Sequence, residues 1–171
     1  MRTLEDLTQK ELVDLLNKCW MTHDSMWFFH SLQQLGIETT NTLNKSAIQT
    51  LSAIEIKRIK SALGFKEDID GFDAFKQFFL AASCLVIPDF MNVRWDFPEM
   101  NQMTWEFNEA LCFAYKGVKR LGALDGYECG VLYRVKCWLD ELGIKHTFTP
   151  EIGGCHMHTS GCCAGTIQLA F

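Results

Sequence analysis

A chain of 171 residues is long enough to bury one sizeable core and short enough to form a single compact unit. Apolar residues make up 48 %, with thirteen Phe and five Trp, which excludes a disordered tail. The net charge of −5 weighs against a nucleic-acid binder, since that role needs a clustered basic face and Lys57, Arg58 and Lys60 form the only tight basic group of the first half.

Met1–Asp6 has no apolar stretch of the kind a signal peptide needs. The longest apolar run, Phe78–Val86, falls well short of the roughly 18 residues that span a bilayer. The expectation is a soluble cytoplasmic chain with no membrane partner, whose eight cysteines are thiols for metal or catalysis rather than disulfides.

Thr8-Gln9-Lys10-Glu11 is a capping-box pattern, and Leu12, Leu15, Leu16 and Cys19 follow at helical spacing, with Cys19 expected in the core. A second helix is predicted from Thr22 or Asp24 to Gly36, with Trp27 and Phe28 on its buried side. His23 and Asp24 lie at its start between tryptophans, a polar pair suited to holding a ligand; the plainer alternative makes His23 a loop hydrogen-bonder and Asp24 a cap. A third helix is predicted from Thr39 or Thr40 to Leu63, stopped by Gly64, with Glu55 and Arg58 paired along its surface. After the polar connection Phe65–Gly71, Asp70 caps a fourth helix on a Phe72, Phe75, Phe78, Phe79, Ala82 stripe, with Cys84 in the core and Pro88 as its end.

From residue 89 the periodicity becomes two. Val93, Trp95 and Phe97 alternate with charged residues, Pro98–Gln102 turns, and Met103, Trp105 and Phe107 form the return strand of a hairpin. Leu111, Phe113 and Tyr115 continue the alternation, so a third strand is expected with Cys112 on its less apolar side. Tyr127–Leu142 reads as a helix with Cys129 in its first turn, where exposed N–H groups favour a thiolate. A short strand, Ile144–Thr149, precedes Gly153–Cys163, eleven residues with three Cys, two His and three Gly. Thr166–Phe171 alternates like a last strand. The fold class is α+β: a helical region at 1–88 of about four helices, then an antiparallel sheet with one further helix in a Cys/His-containing region at 89–171, the two forming one compact unit.

Thiolate sulfur and imidazole nitrogen hold zinc or iron well, and glycines let a backbone aim several at one point. The predicted metal set is Cys112, Cys129, Cys155 and Cys162, with His158 able to replace one of them. Zinc is the expected cofactor; iron or an iron–sulfur cluster could use the same sulfurs. Of the adjacent Cys162 and Cys163, extended backbone would present only one.

Met21-Thr22-His23-Asp24-Ser25-Met26-Trp27-Phe28, Asn44-Lys45, Ala53-Ile54-Glu55-Ile56-Lys57-Arg58, and the order Cys112, Cys129, Cys155 to Cys163 together resemble a family of uncharacterised prokaryotic proteins. More remotely the layout is similar to 4-vinyl reductase-type ligand-binding domains and to L-2-amino-thiazoline-4-carboxylic acid hydrolase-like proteins. Similar proteins end in Cys-x-x-Cys-Pro and a later cysteine, where this chain has Cys155-His156-Met157-His158 and Cys162-Cys163. The functional expectation is a metal-associated small-molecule-binding protein in which His23, Asp24, Glu55 and Arg58 orient the ligand. The alternative is a hydrolase of a small C–N or acyl substrate, with Cys129 or Cys155 as nucleophile and His23, His156 or His158 as base. Neither reading names a substrate, and both are compatible with a homo-oligomer.

Overall fold

The structure, a computed structural model, describes residues 3–65, 68–108 and 111–171, so residues 66–67 of the polar connection lie outside it. Helix α1 (Gln9–Leu63) opens on the predicted capping box: the Thr8 hydroxyl accepts from the Glu11 amide at 3.2 Å, and the Glu11 carboxylate accepts from the Thr8 amide at 2.8 Å. The break predicted near Thr22 is absent. Thr22 instead donates its hydroxyl back to the Lys18 carbonyl at 2.7 Å, which satisfies a cap-type side chain inside a helix, and neither it nor Asp24 caps anything.

The one interruption is Gly36, at φ 75° and ψ 171°, a conformation open to a residue without Cβ. Helix resumes at once, earlier than predicted, and the Thr40 hydroxyl donates to the Gly36 carbonyl at 2.7 Å. Trp20 of the first leg (9–35) and Glu55 of the second (37–63) both reach Arg134, so the legs fold back alongside one another. Gly64, left-handed, ends the second leg as predicted.

Helix α2 (Phe72–Val86) starts one residue past the predicted cap, at Gly71, and buries Phe75, Phe78, Phe79 and Ala82. Strands β1 (Val93–Asp96) and β2 (Gln102–Phe107) form the predicted hairpin. The predicted third strand is instead helix α3 (Phe113–Arg120). The Leu111 amide closes a turn on the Asn108 carbonyl at 2.8 Å, and Lys116 then bonds Cys112 at 3.0 Å, so the backbone leaves the sheet directly after β2. Helix α4 (Gly130–Glu141), strand β3 (Lys145–Thr149), the one-turn α5 (His156–Thr159) and strand β4 (Cys163–Ala170) complete the chain.

The four strands pair antiparallel in the order β1-β2-β4-β3, confirming an α+β fold. Met103, Trp105, Phe107, Cys163, Ile167 and Leu169 line the buried face of the sheet at period two. Gly165 makes room for Trp105: a Cβ there would stand 2.3 Å from the indole ring and 2.5 Å from the Thr149 carbonyl. The Phe79 ring lies 5.1 Å from Trp95 and 6.2 Å from Trp138, so α2 is tied to both the sheet and α4. Each such fully buried Phe stabilises the fold by about 1.5–3 kcal/mol. Residues of α1, α2, the sheet and α4 share one core cluster, from Ile56 and Ile59 through Phe78 to Trp105 and Leu132.

Candidate functional site

Backbone pairing, rather than sequence proximity, gathers the cysteines. Glu128 bridges Gly154, and the Cys129 amide donates to the Gly153 carbonyl at 2.8 Å, so the segments leading into Cys129 and Cys155 run side by side. Cys129 is then the N-cap of α4 and Cys155 the N-cap of α5. Beyond α5 the chain enters β4 at Cys163, in register with Phe107 of β2, and β2 leads through a turn to Cys112, the N-cap of α3. Three helix starts and one strand start thus present four sulfurs. Cys112, Cys155 and Cys163 are buried and Cys129 is half-buried against the same core.

Burial pushes the Cys129 thiol up to about 12 and the Cys163 thiol up to about 11, and it raises Cys112 as well. The thiols also oppose one another's ionisation: Cys112 acts on Cys129, Cys112 and Cys155 on Cys163, and Cys155 on Cys112. The N–H groups of Leu132 and Val131 pull the other way at Cys129, as do those of Tyr115 and Ala114 at Cys112. The helix-start effect expected at Cys129 is therefore present, but desolvation exceeds it, and Cys129 is a protonated thiol at neutral pH. The buried Trp105 Nε1 has no hydrogen bond of normal geometry, yet its N–H lies close enough to Cys163 to favour the thiolate. Tyr127 shares the site's electrostatics, and its phenolic oxygen accepts from the Gly130 amide at 3.2 Å.

Several expected members lie elsewhere. Cys162 is exposed and its neighbour Cys163 is the buried one, as extended backbone requires of adjacent residues. His158 stands at the surface, 2.8 Å from Asp125, apart from the sulfurs. His156 is half-buried, and its Nε2 is enclosed with no hydrogen-bond partner among the described residues. Cys19 and Cys84, expected in the core, are both exposed, while Cys137 is buried on α4. Among the described residues, no three His, Cys, Asp or Glu side chains stand in an arrangement that holds a metal ion.

The polar residues assigned to ligand binding divide in the same way. Glu55 is buried and accepts from Arg134 Nε at 3.0 Å and Trp138 Nε1 at 2.8 Å, with a second ion-pair contact from the Arg134 guanidinium. The Arg134 Cζ sits 4.8 Å from the Trp20 ring centroid and 5.7 Å from that of Trp138. The guanidinium, not Arg58, is thus the partner of Glu55, because α4 covers the inner side of the helix while Arg58 is exposed. Asp24 is raised by partial desolvation, opposed by Arg134 and His23, and both His23 and Asp24 lie at the surface. A separate open cavity of about 600 Å³ runs between the second leg of α1 and the end of α4, its charged lining made of Lys57, Lys60, Asp68 and Glu141 and its apolar lining including Ile56 and Phe65. The sequence reading missed Arg134, whose only signal was a single arginine on a largely apolar helix, and it left open which of Cys162 and Cys163 faces inward.

Residues 5–87 match the model of a family of unknown function (DUF6125), a span that contains α1 and α2 and stops before the sheet and the cysteine site. No curated protein and no solved structure is significantly similar to the chain. Among the described residues no helix is long and apolar enough to cross a membrane.

Proposed function

We propose that the chain is a metal-associated small-molecule-binding protein in which Cys112, Cys129, Cys155 and Cys163 hold a thiophilic ion. The observation that carries this reading is the delivery of four sulfurs, from four separate elements, to one shielded place. The thiols that burial raises, Cys112, Cys129 and Cys163, need a nearby cation before they release their protons, and zinc or iron would supply it. The backbone N–H groups at the helix starts and the Trp105 N–H would then face thiolates, which they stabilise. Four thiolates suit tetrahedral zinc, and an iron–sulfur cluster is the alternative occupant of the same ligands.

The small-molecule part rests on the open cavity beside Lys57 and Lys60, whose volume suits a small ligand; Asp68 and Glu141 line it too, and Lys60 lies 3.7 Å from Asp68, so its charge selects neither sign. The second reading, a cysteine/histidine hydrolase of a small C–N or acyl substrate, is favoured only by the enclosed, unpartnered Nε2 of His156 next to Cys155.

Elemental analysis of protein purified under reducing conditions tests the proposal. Wild type is expected to carry zinc or iron in near-stoichiometric amount. Cys112→Ser and Cys155→Ser lose it, and Cys162→Ser keeps it. Metal-free wild type, or full retention in a Cys112→Ser/Cys155→Ser double variant, overturns the reading.

A further inference from the structure

We infer that Tyr127 is a positioning residue of the cysteine site, whose hydroxyl donates a hydrogen bond to the Cys129 sulfur when that sulfur is a metal-bound thiolate. The inference rests on the reading of Cys112, Cys129, Cys155 and Cys163 as ligands. Tyr127 is 5 % exposed and belongs to the core cluster that encloses the cysteines. Two contacts fix its ring. The phenolic oxygen accepts from the amide of Gly130 at 3.2 Å, the first residue of α4, so it sits at the same helix start as the N-cap Cys129. The ring meets that of Phe28 edge to face, with centroids 5.8 Å apart. The antiparallel bridge between Glu128 and Gly154 sets Tyr127 opposite Cys155, one residue along from the bridged pair. Burial raises the phenol well above its ordinary value, and Cys129, then Cys112 and Cys155, raise it further, so the oxygen lies within electrostatic reach of three of the four sulfurs.

One hydrogen-bonding capacity of that phenol is unspent. A tyrosine hydroxyl both accepts and donates, and here the oxygen accepts from Gly130 while the O–H donates to no described residue. A buried tyrosine hydroxyl ordinarily finds an acceptor for its proton. A thiol is a weak acceptor, whereas a hydrogen bond to an ionised group is about twice as strong as a neutral one. The Cys163 sulfur has the Trp105 N–H close to it, and Tyr127 gives Cys129 the corresponding side-chain donor. Donors of this kind draw electron density from a ligating sulfur and set the charge that the ion experiences.

The test uses Co²⁺ as the probe, added to the full chain under reducing conditions after chelation of any resident metal, and follows the thiolate-to-cobalt charge-transfer bands. Tyr127→Phe is expected to take up cobalt still, about 10–100-fold more weakly. Its bands move to longer wavelength, because a thiolate that has lost its donor gives up an electron more readily. A ring-fluorinated tyrosine incorporated at position 127 keeps the shape and the Gly130 contact but donates more strongly, and its bands move to shorter wavelength. A packing role alone lowers affinity without that reversal of sign. Wild-type bands that stay in place in both variants, or move the same way in both, overturn the inference and leave the cysteine ligands standing. Absence of thiolate–cobalt bands from wild type removes the metal reading and this inference with it. Where circular dichroism shows that Tyr127→Phe does not fold, the fluorinated chain decides, and unmoved bands there are the refuting result.

Discussion

Removing the carboxylate of Glu55 should be among the most destabilising single changes available away from the cysteines. Its side chain is 10 % exposed, that of Arg134 is 17 %, and Trp138 contributes a third donor to the same carboxylate. Glu55→Ala leaves a buried guanidinium without its counter-ion, which costs about 3–5 kcal/mol, and the orphaned Trp138 N–H belongs to the same loss. For a chain of this size that corresponds to a fall in Tm on the order of 10 °C. Arg134→Met should cost a comparable amount. The double variant Glu55→Leu/Arg134→Met should recover most of the loss, because an apolar pair of similar volume carries no desolvation debt. Urea unfolding followed by circular dichroism is the assay, with chelator, reductant and protein concentration held fixed so that metal and association do not contribute. Single costs below about 1 kcal/mol, or strictly additive singles, would falsify the reasoning that a buried, mutually dependent pair locks α4 to α1.

Thiol labelling of the native metal-free chain should modify Cys19, Cys84 and Cys162 quickly, the three exposed thiols, and reach the remaining five only on unfolding; rapid labelling of Cys129 or Cys155 contradicts the burial described above. The same metal-free protein should lose stability as pH rises from about 9 towards 11–12. Unfolded thiols ionise near 9.0, whereas Cys129 and Cys163 hold their protons in the fold to about 12 and about 11, so the folded chain binds more protons across that window. Equal urea midpoints at about pH 8 and about pH 10 exclude that linkage. Gly165→Ala should cost about 1–3 kcal/mol by driving Trp105 off the sheet, visible as a change in tryptophan fluorescence along with the stability loss; an unchanged spectrum and stability show that the strand has room to relax.

The parts of the fold that were legible in the sequence are those set by local chemistry. The Thr8 capping box, the Gly64 stop, the β1–β2 hairpin and the aromatic stripe of α2 each follow from neighbouring residues, and each is present. What was misread depends on tertiary partners. Thr22 has the character of a cap, but a long helix absorbs such a residue through its i−4 carbonyl. Leu111 to Tyr115 alternate as a strand does, yet five residues do not separate period two from the start of a helix, and the turn at Asn108 decides the matter. Cys19 and Cys84 have core-like spacing but face outward, because helical periodicity reports an apolar face without saying what covers it. For the site, Cys112, Cys129 and Cys155 could be read as a group from residue type; the choice of Cys163 over Cys162 needed the register of β4 against Phe107.

Helix α4 connects the two halves of the chain. Its N-cap is Cys129, and its body carries Arg134 and Trp138. The residues that fix it come from α1: Asn41 donates to the Gly126 carbonyl at 2.7 Å and accepts from the Glu128 amide at 3.3 Å, Lys45 pairs with Glu128, Phe28 packs 5.8 Å from Tyr127, and Glu55 holds Arg134. All of these α1 residues lie within the span that matches the family of unknown function, while their partners lie outside it. Cut at residue 87, that span would leave the carboxylate of Glu55 and the amide of Asn41 without the groups that satisfy them, so it does not stand as a unit by itself. The polar residues of α1 therefore act on the cysteine site at one remove. They set where α4 begins, and with it the position of the Cys129 sulfur relative to the other three.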